Sequence, residues 1–197
     1  MKQKRNAKIE RITSETKIIL ELNLDGSGKA DVKTGIGFLD HMLDLLVFHG
    51  LFNLKLTCKG DLEIDAHHTT EDVALALGSA LVEAVGEKKG ILRYGFSYIP
   101  MDEALLRVAL DLSGRPEFVF SGEFVQASIG SLDTQMIRHF FKSLAMSSRM
   151  TLHMSILYGI NDHHKCEGLF KALGRALRQA VEIDPRRTGV ASTKGIL

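Results

Sequence analysis

Cysteine is scarce in this chain: there are two, Cys58 and Cys166, among 197 residues. Cys58 falls in an expected strand and Cys166 inside a histidine-rich motif. That placement excludes a disulfide framework and fits a reduced, cytoplasmic setting. A charge of one sign is also missing. Lysine and arginine number 25 against 24 aspartates and glutamates, a net of +1. No strong field therefore recruits nucleic acid or a membrane surface. Long apolar runs are absent too. None approaches the roughly 18–20 residues of a membrane span, and no signal-peptide pattern opens the chain. No linker or low-complexity stretch divides it. The short basic run Lys2, Lys4, Arg5 and Lys8 reads as a frayed terminus. What remains is 45% hydrophobic and 25% charged, ordinary for a globular protein and enough for one real core.

The chain does contain a repeat. Shifted by 96 residues, the windows 67–85 and 163–181 match at 10 of 19 positions. His67, His68, Glu71, Ala76, Leu77, Gly78, Ala80, Leu81, Ala84 and Val85 each meet their own kind. Such self-similarity changes the architecture to be expected.

The elements repeat with it. Residues 7–12 and 17–24 alternate apolar and polar, with Ile18, Leu20, Leu22 and Leu24 on one face, the period of a half-buried strand. Asp25-Gly26-Ser27-Gly28 is a turn, so these strands are expected to form a hairpin with residues 29–33. A helical pattern follows from Phe38 to His49, with Gly50 as its expected C-cap. Residues 52–58 read as a strand, 62–65 as a short extended piece, and 69–85 as a helix. After Lys88-Lys89-Gly90 the order begins again. Strands are expected at 92–99, 106–112 and 117–121, a helix at 132–149, a strand at 151–158 and a helix to about residue 182. The expectation is an α+β fold built from an internally duplicated unit. Each half is a sheet covered on one face by two helices. The halves are residues 1–90 and 91–197, sharing one core.

The repeated part is also rich in metal-ligand types. Positions i and i+3 or i+4 share a helix face, so His67 or His68 with Glu71 can reach one metal. His163, His164 and Glu167 offer the same. Adjacent histidines point apart, so each pair can serve two metals. His41 and His139 lie upstream in matching helices. Six histidines and two glutamates divide into two sites of three His and one Glu. Imidazole and carboxylate suit Zn²⁺, Mn²⁺, Fe²⁺ or Ni²⁺. Cys166 is not expected to ligate, because Thr70 stands in its place in the other half. His153 has no expected role.

These residues resemble the imidazoleglycerol-phosphate dehydratase family. The match runs through Gly35-Ile36-Gly37-Phe38-Leu39-Asp40-His41-Met42, His67-His68-Thr69-Thr70-Glu71-Asp72, Pro100-Met101-Asp102-Glu103-Ala104-Leu105, Ser113-Gly114-Arg115-Pro116, the His163 motif and Ser192-Thr193-Lys194-Gly195. The resemblance implies two Mn²⁺ per active site. It implies self-association into a large homo-oligomer, a 24-mer, with sites formed between subunits. The substrate is a small phosphorylated imidazole, imidazole glycerol phosphate, dehydrated to imidazole acetol phosphate in histidine biosynthesis. Carried over, the metal ligands are His41, His67, His68, Glu71, His139, His163, His164 and Glu167. The substrate-binding set is Arg93, Arg115, Ser192, Thr193 and Lys194, with His49 nearby. Glu15 and Lys171 match positions near the reacting carbons. Leu45 stands where the family often has Gln, so one polar contact to the substrate is expected to be missing.

The chemistry fits those residue types. One Lewis acid on each ring nitrogen favours an imidazolate, which can push out the neighbouring hydroxide. A carboxylate would move the protons, and Glu15 is the candidate. Arginine grips phosphate in a bidentate way and lysine acts as a point charge. Two rivals use the same residues: a dinuclear hydrolase acting through metal-bound water, and a non-catalytic protein whose metals join subunits.

Overall fold

The computed structural model describes residues 5–196. The first half runs through Asn6–Ile12 (β1), Thr16–Asn23 (β2), Lys29–Lys33 (β3), Gly37–Gly50 (α1), Asn53–Gly60 (β4) and His67–Val85 (α2). The second runs through Tyr94–Met101 (β5), Ala104–Asp111 (β6), Glu117–Ser121 (β7), the two-residue strands Ser128–Ile129 (β8) and Leu132–Asp133 (β9), then Thr134–Ser148 (α3), Thr151–Tyr158 (β10) and Asp162–Val181 (α4).

Alternation decides which face of each sheet is buried. On β2, Ile18, Leu20 and Leu22 are buried, while Lys17, Ile19 and Glu21 face solvent. On β6, Leu106, Val108 and Leu110 do the same. The two four-stranded sheets have equivalent orders, β1-β2-β4-β3 and β5-β6-β10-β7. In each, the last pairing is parallel (β3 with β4, β7 with β10) and the others are antiparallel. A parallel pair needs a crossover, and α1 and α3 supply it.

Each sheet carries helices on one face, as the repeat predicts. Helix α2 lies on β1 and β2, and α4 lies on β5 and β6. The helices also pack across the halves, α1 on α4 and α2 on α3. The helical layer therefore lies between the sheets, and one continuous apolar cluster serves both halves. Phe140, Phe141 and Phe170 are buried there with ring centroids 4.6 to 5.6 Å apart. Burying each such side chain is worth about 2–3 kcal/mol.

The repeated glycines mark the cross-half contacts. A Cβ on Gly174 of α4 would clash with the Leu46 carbonyl oxygen of α1. A Cβ on Gly78 of α2 would clash with Ser147 and lie 2.8 Å from the Ser148 nitrogen of α3. The Leu-Gly-x-Ala-Leu repeat is thus the seam along which the halves approach.

Five local expectations change. Strand β3 forms no hairpin with β2: the crossover through α1 brings β4 back between them, where it pairs antiparallel with β2 and parallel with β3. Gly50 is the last residue of α1, and Leu51 takes the left-handed cap at φ 56°. Gly50 is needed instead for its closeness to Phe52 and to Gly174. Residues 62–64 form a turn, closed by Ile64 N donating to Asp61 O at 2.9 Å. Helix α2 starts at His67, so both histidines lie in its first turn. Finally, Lys2 and Lys4 lie outside the described residues, but Arg5 and Lys8 are anchored. Arg5 pairs with Asp25, and Lys8 with Glu21 at 2.8 Å. No helix among the described residues is long and apolar enough to cross a membrane.

Candidate metal centres

The helices that bind the halves together also assemble the candidate ligand residues. His41 comes from α1, while His163 and Glu167 come from the first turns of α4. Their ligand atoms lie within 4.8 Å of one another. Glu167 Oε2 is 3.1 Å from His163 Nε2 and 3.8 Å from His41 Nε2. The pseudo-equivalent cluster joins His67 and Glu71 of α2 to His139 of α3, again within 4.8 Å. Here Glu71 Oε2 is 3.6 Å from His67 Nε2 and 3.4 Å from His139 Nε2. Each cluster thus draws on both halves. In each, the Glu reaches the first histidine of its pair at i,i+4, one turn along the helix.

The donor set fits a divalent cation. His139 Nε2 is buried and has no hydrogen-bond partner, although Glu71 and His67 surround it. A buried polar atom left so is costly unless something else satisfies it. Two imidazoles and a carboxylate form a borderline donor set of the kind that holds Mn²⁺, Fe²⁺ or Zn²⁺. An open cavity of about 550 Å³ leads to His67, lined also by Asp65, Asp133 and Met136.

His68 and His164 do not join either cluster. His68 Nδ1 meets Asp61 Oδ2 at 2.9 Å, and Glu15 Oε1 is 3.9 Å from its Nε2. His164 Nδ1 meets Glu103 Oε2 at 2.7 Å, with Asp102 Oδ2 3.7 Å from its Nε2. These carboxylates hold both imidazoles above their ordinary pKa, chiefly through those hydrogen bonds. Glu103 is itself held down to about 2, first by the Asn161 backbone N–H, then by His164 and the Ile160 N–H. A carboxylate on Nδ1 fixes the tautomer and turns Nε2 outward, as at ligating histidines.

Sequence reasoning missed Asp61 and Glu103. The signal for Glu103 was present. It occupies the β5–β6 turn, as Glu15 occupies the turn between β1 and β2, 88 residues earlier. The buried pair Asp162–Lys165, 2.7 Å apart, was missed as well. Asp162 also accepts from the Val125 and Gln126 N–H groups at 2.7 and 2.6 Å. It thereby ties the loop after β7 to the start of α4.

The residues expected at the phosphate gather at the start of β5. Arg93 is buried at φ 74°. Its guanidinium donates twice to Asp111, at 2.6 and 2.9 Å, and once to Ala191 O at 2.6 Å. It therefore holds the tail in place. Arg115 is exposed and lies 4.0 Å from Asp111. In the tail, the Lys194 N–H donates to Ser192 Oγ at 3.2 Å, and Thr193 is exposed between them. Lys171 lies elsewhere, paired with Glu167 and 3.4 Å from Met101 Sδ at the far end of β5. Half-buried His49, near Lys171 and Arg175, is held below its ordinary pKa by burial first and by those cations next. Glu15 is exposed beside His68. Leu45 is half-buried against the core.

The sequence model for imidazoleglycerol-phosphate dehydratase matches residues 34–177. The chain belongs to that family. It is a lyase, as the family's dehydration in histidine biosynthesis requires. The chain is 55% identical over 193 residues to the imidazoleglycerol-phosphate dehydratase of a Geobacillus species, covering 98% of this chain and 99% of the relative. It is 54% identical over 191 residues to that of Clostridium botulinum, covering 97% of each. Among solved structures, the Staphylococcus aureus enzyme of the family superposes with a TM-score of 0.83 at 36% identity, over 91% of this chain and 99% of that one. The Pyrococcus furiosus enzyme, solved in complex with (S)-C348, gives 0.82 at 36% identity, over 96% and 100%.

Proposed function

We propose that this chain dehydrates imidazole glycerol phosphate to imidazole acetol phosphate, holding the substrate as an imidazolate at a site with two Mn²⁺. The observation that carries this is the pair of matching His₂Glu clusters, each spanning both halves. His41, His163 and Glu167 would hold one ion, and His67, Glu71 and His139 the other. When bound, such ions lend Lewis acidity to the ring nitrogens and favour the anionic ring.

The remaining work falls to the chain. The reaction breaks a C–OH bond beside the ring and removes a carbon-bound proton. Exposed Glu15, next to His68, is the group assigned to that proton. Lys171, tethered to Glu167, supplies a fixed positive charge near the reacting carbons. Arg115, Ser192, Thr193 and Lys194 bind the phosphate, with His49 nearby. Arg93 holds the tail that carries three of them.

The site is read as shared between subunits. Strand β5 has eight residues, and at ~3.3 Å each its ends are roughly 23 Å apart. Arg93 adjoins one end, and Lys171 touches the other. A small substrate does not span that distance within one chain. His68 and His164, turned outward by Asp61 and Glu103, supply the missing third histidines to a neighbouring copy. The same reading includes a 24-subunit cytoplasmic assembly of chains divided into half-repeats 1–90 and 91–197.

Turnover of imidazole glycerol phosphate by metal-stripped protein, with and without added Mn²⁺, tests the assignment. Turnover that appears only with the metal is expected. Absence of turnover in protein that binds about two ions per chain would leave the metal reading and remove the reaction.

A further inference from the structure

The two clusters match in fold and ligand type but not in what touches their carboxylates. Glu167 Oε2 faces His163 and His41, while its other oxygen, Oε1, is ion-paired with Lys171 one helical turn on. The side chains of that pair are 11% and 17% exposed, so water screens it weakly. The repeat places Leu75 opposite Lys171. Among the described residues no lysine or arginine lies within 4.0 Å of the Glu71 carboxylate, whose ionic neighbours are His67 and His139. Helix starts differ as well, once Asp162 in the first turn of α4 is set aside because buried Lys165 pairs with it at 2.7 Å. Asp65 accepts from the His67 N–H at 2.6 Å, whereas neutral Asn161 accepts from the His163 N–H at 2.9 Å.

We infer that the two metal centres are inequivalent, the Glu71 centre binding its divalent cation tightly and the Glu167 centre binding weakly because Lys171 already occupies its carboxylate. This rests on the metal-dependent reading above. An ion on Glu167 Oε2 would sit one carboxylate away from a lysine ammonium, and like charges at that range repel strongly where screening is weak. Lys171 also orients the carboxylate. Loss of an orienting partner of that kind changes affinity by roughly 10- to 100-fold. The repulsion acts against a doubly charged ion at close range and outweighs that gain. Flanking charges run the other way: Asp44 lies three residues past His41, and Lys142 three past His139. Both are solvent-exposed, where screening makes such charges weak. At limiting metal, then, the Glu167 centre fills last and sets whether the enzyme is switched on.

Single-centre variants of the full chain separate the two affinities. His139→Ala leaves only the Glu167 centre, and His41→Ala only the Glu71 centre. Each is stripped, checked for fold by circular dichroism, and titrated with Mn²⁺ while free aquo-Mn²⁺ is followed by electron paramagnetic resonance. The His41→Ala protein is expected to bind at least tenfold more tightly. Adding Lys171→Gln to the His139→Ala protein should tighten it at least tenfold, and adding Leu75→Lys to the His41→Ala protein should weaken it. Lys142→Gln should change little. Equal affinities, or Lys171→Gln leaving the Glu167 centre unchanged or weaker, overturn the inequivalence but leave two metal centres standing. If wild-type protein binds no Mn²⁺, the metal reading itself falls and the inference with it.

Discussion

His67 and His68 are neighbours in sequence with different surroundings. One turns into a cluster with Glu71 and His139, and the other turns out to Asp61. Their ring centroids are 6.0 Å apart at 71°, as expected of adjacent positions in a helical first turn. Glu15 is the exposed carboxylate closest to the outward His68 in the geometry above. Glu15→Gln keeps its shape and removes its basicity. Steady-state kinetics should show kcat falling at least a hundredfold with KM little changed, and near wild-type turnover would end its proposed role. The buried pair Asp162–Lys165 is a structural matter. Lys165 and Asp162 are 4% and 1% exposed, so Lys165→Met strands a buried charge. Chemical denaturation should register a loss of about 3 kcal/mol, softened by the two backbone N–H groups that remain on Asp162.

At the scale of elements, the helices do two jobs with different faces. The apolar faces of α2 and α4 carry the repeat Leu-Gly-x-Ala-Leu, and their first turns carry candidate ligands. The seam needs small residues because backbone meets backbone at Gly174 and Leu46. Gly174→Ala should cost about 1–3 kcal/mol by overpacking, despite the better helix propensity of alanine, and thermal unfolding would measure it. The same variant should loosen the cluster of His41, His163 and Glu167, since α1 and α4 supply it jointly. A gain in melting temperature would contradict the close approach.

For the whole molecule, the relevant distance is the length of β5. The Arg93 and Arg115 region stands at one end and the Lys171 region at the other, so the proposed site draws on two chains. Arg115→Ala disables one contribution and Glu167→Gln the other. Each variant alone should be nearly inactive. Unfolded together and refolded as mixed assemblies, they should recover a substantial fraction of wild-type turnover, because some sites then combine two intact contributions. No recovery in assemblies proven mixed by mass spectrometry would place each site within one chain.

Much of this architecture is legible in the residues themselves. Period-2 burial on β2 and β6, the 96-residue repeat and the ligand-type residues at equal offsets are local patterns with local physical causes. They call for two equivalent sheets, four helices and paired ligand sets. Other features have no local signature. Gly50 reads as a cap, yet it serves a contact with a helix more than a hundred residues away. Residues 62–64 form a turn because Asp61 closes on Ile64, and no apolar period marks that. That His41 meets the second histidine motif, and His139 the first, follows from the cross-half packing of α1 on α4 and α2 on α3. The sequence alone determined the unit, its duplication and the chemistry its side chains can offer. Only the tertiary structure decided which half completes which cluster, which histidine of each pair turns outward, and which carboxylate a lysine already holds. Those outcomes depend on packing between residues far apart in the chain, and no short-range pattern encodes it.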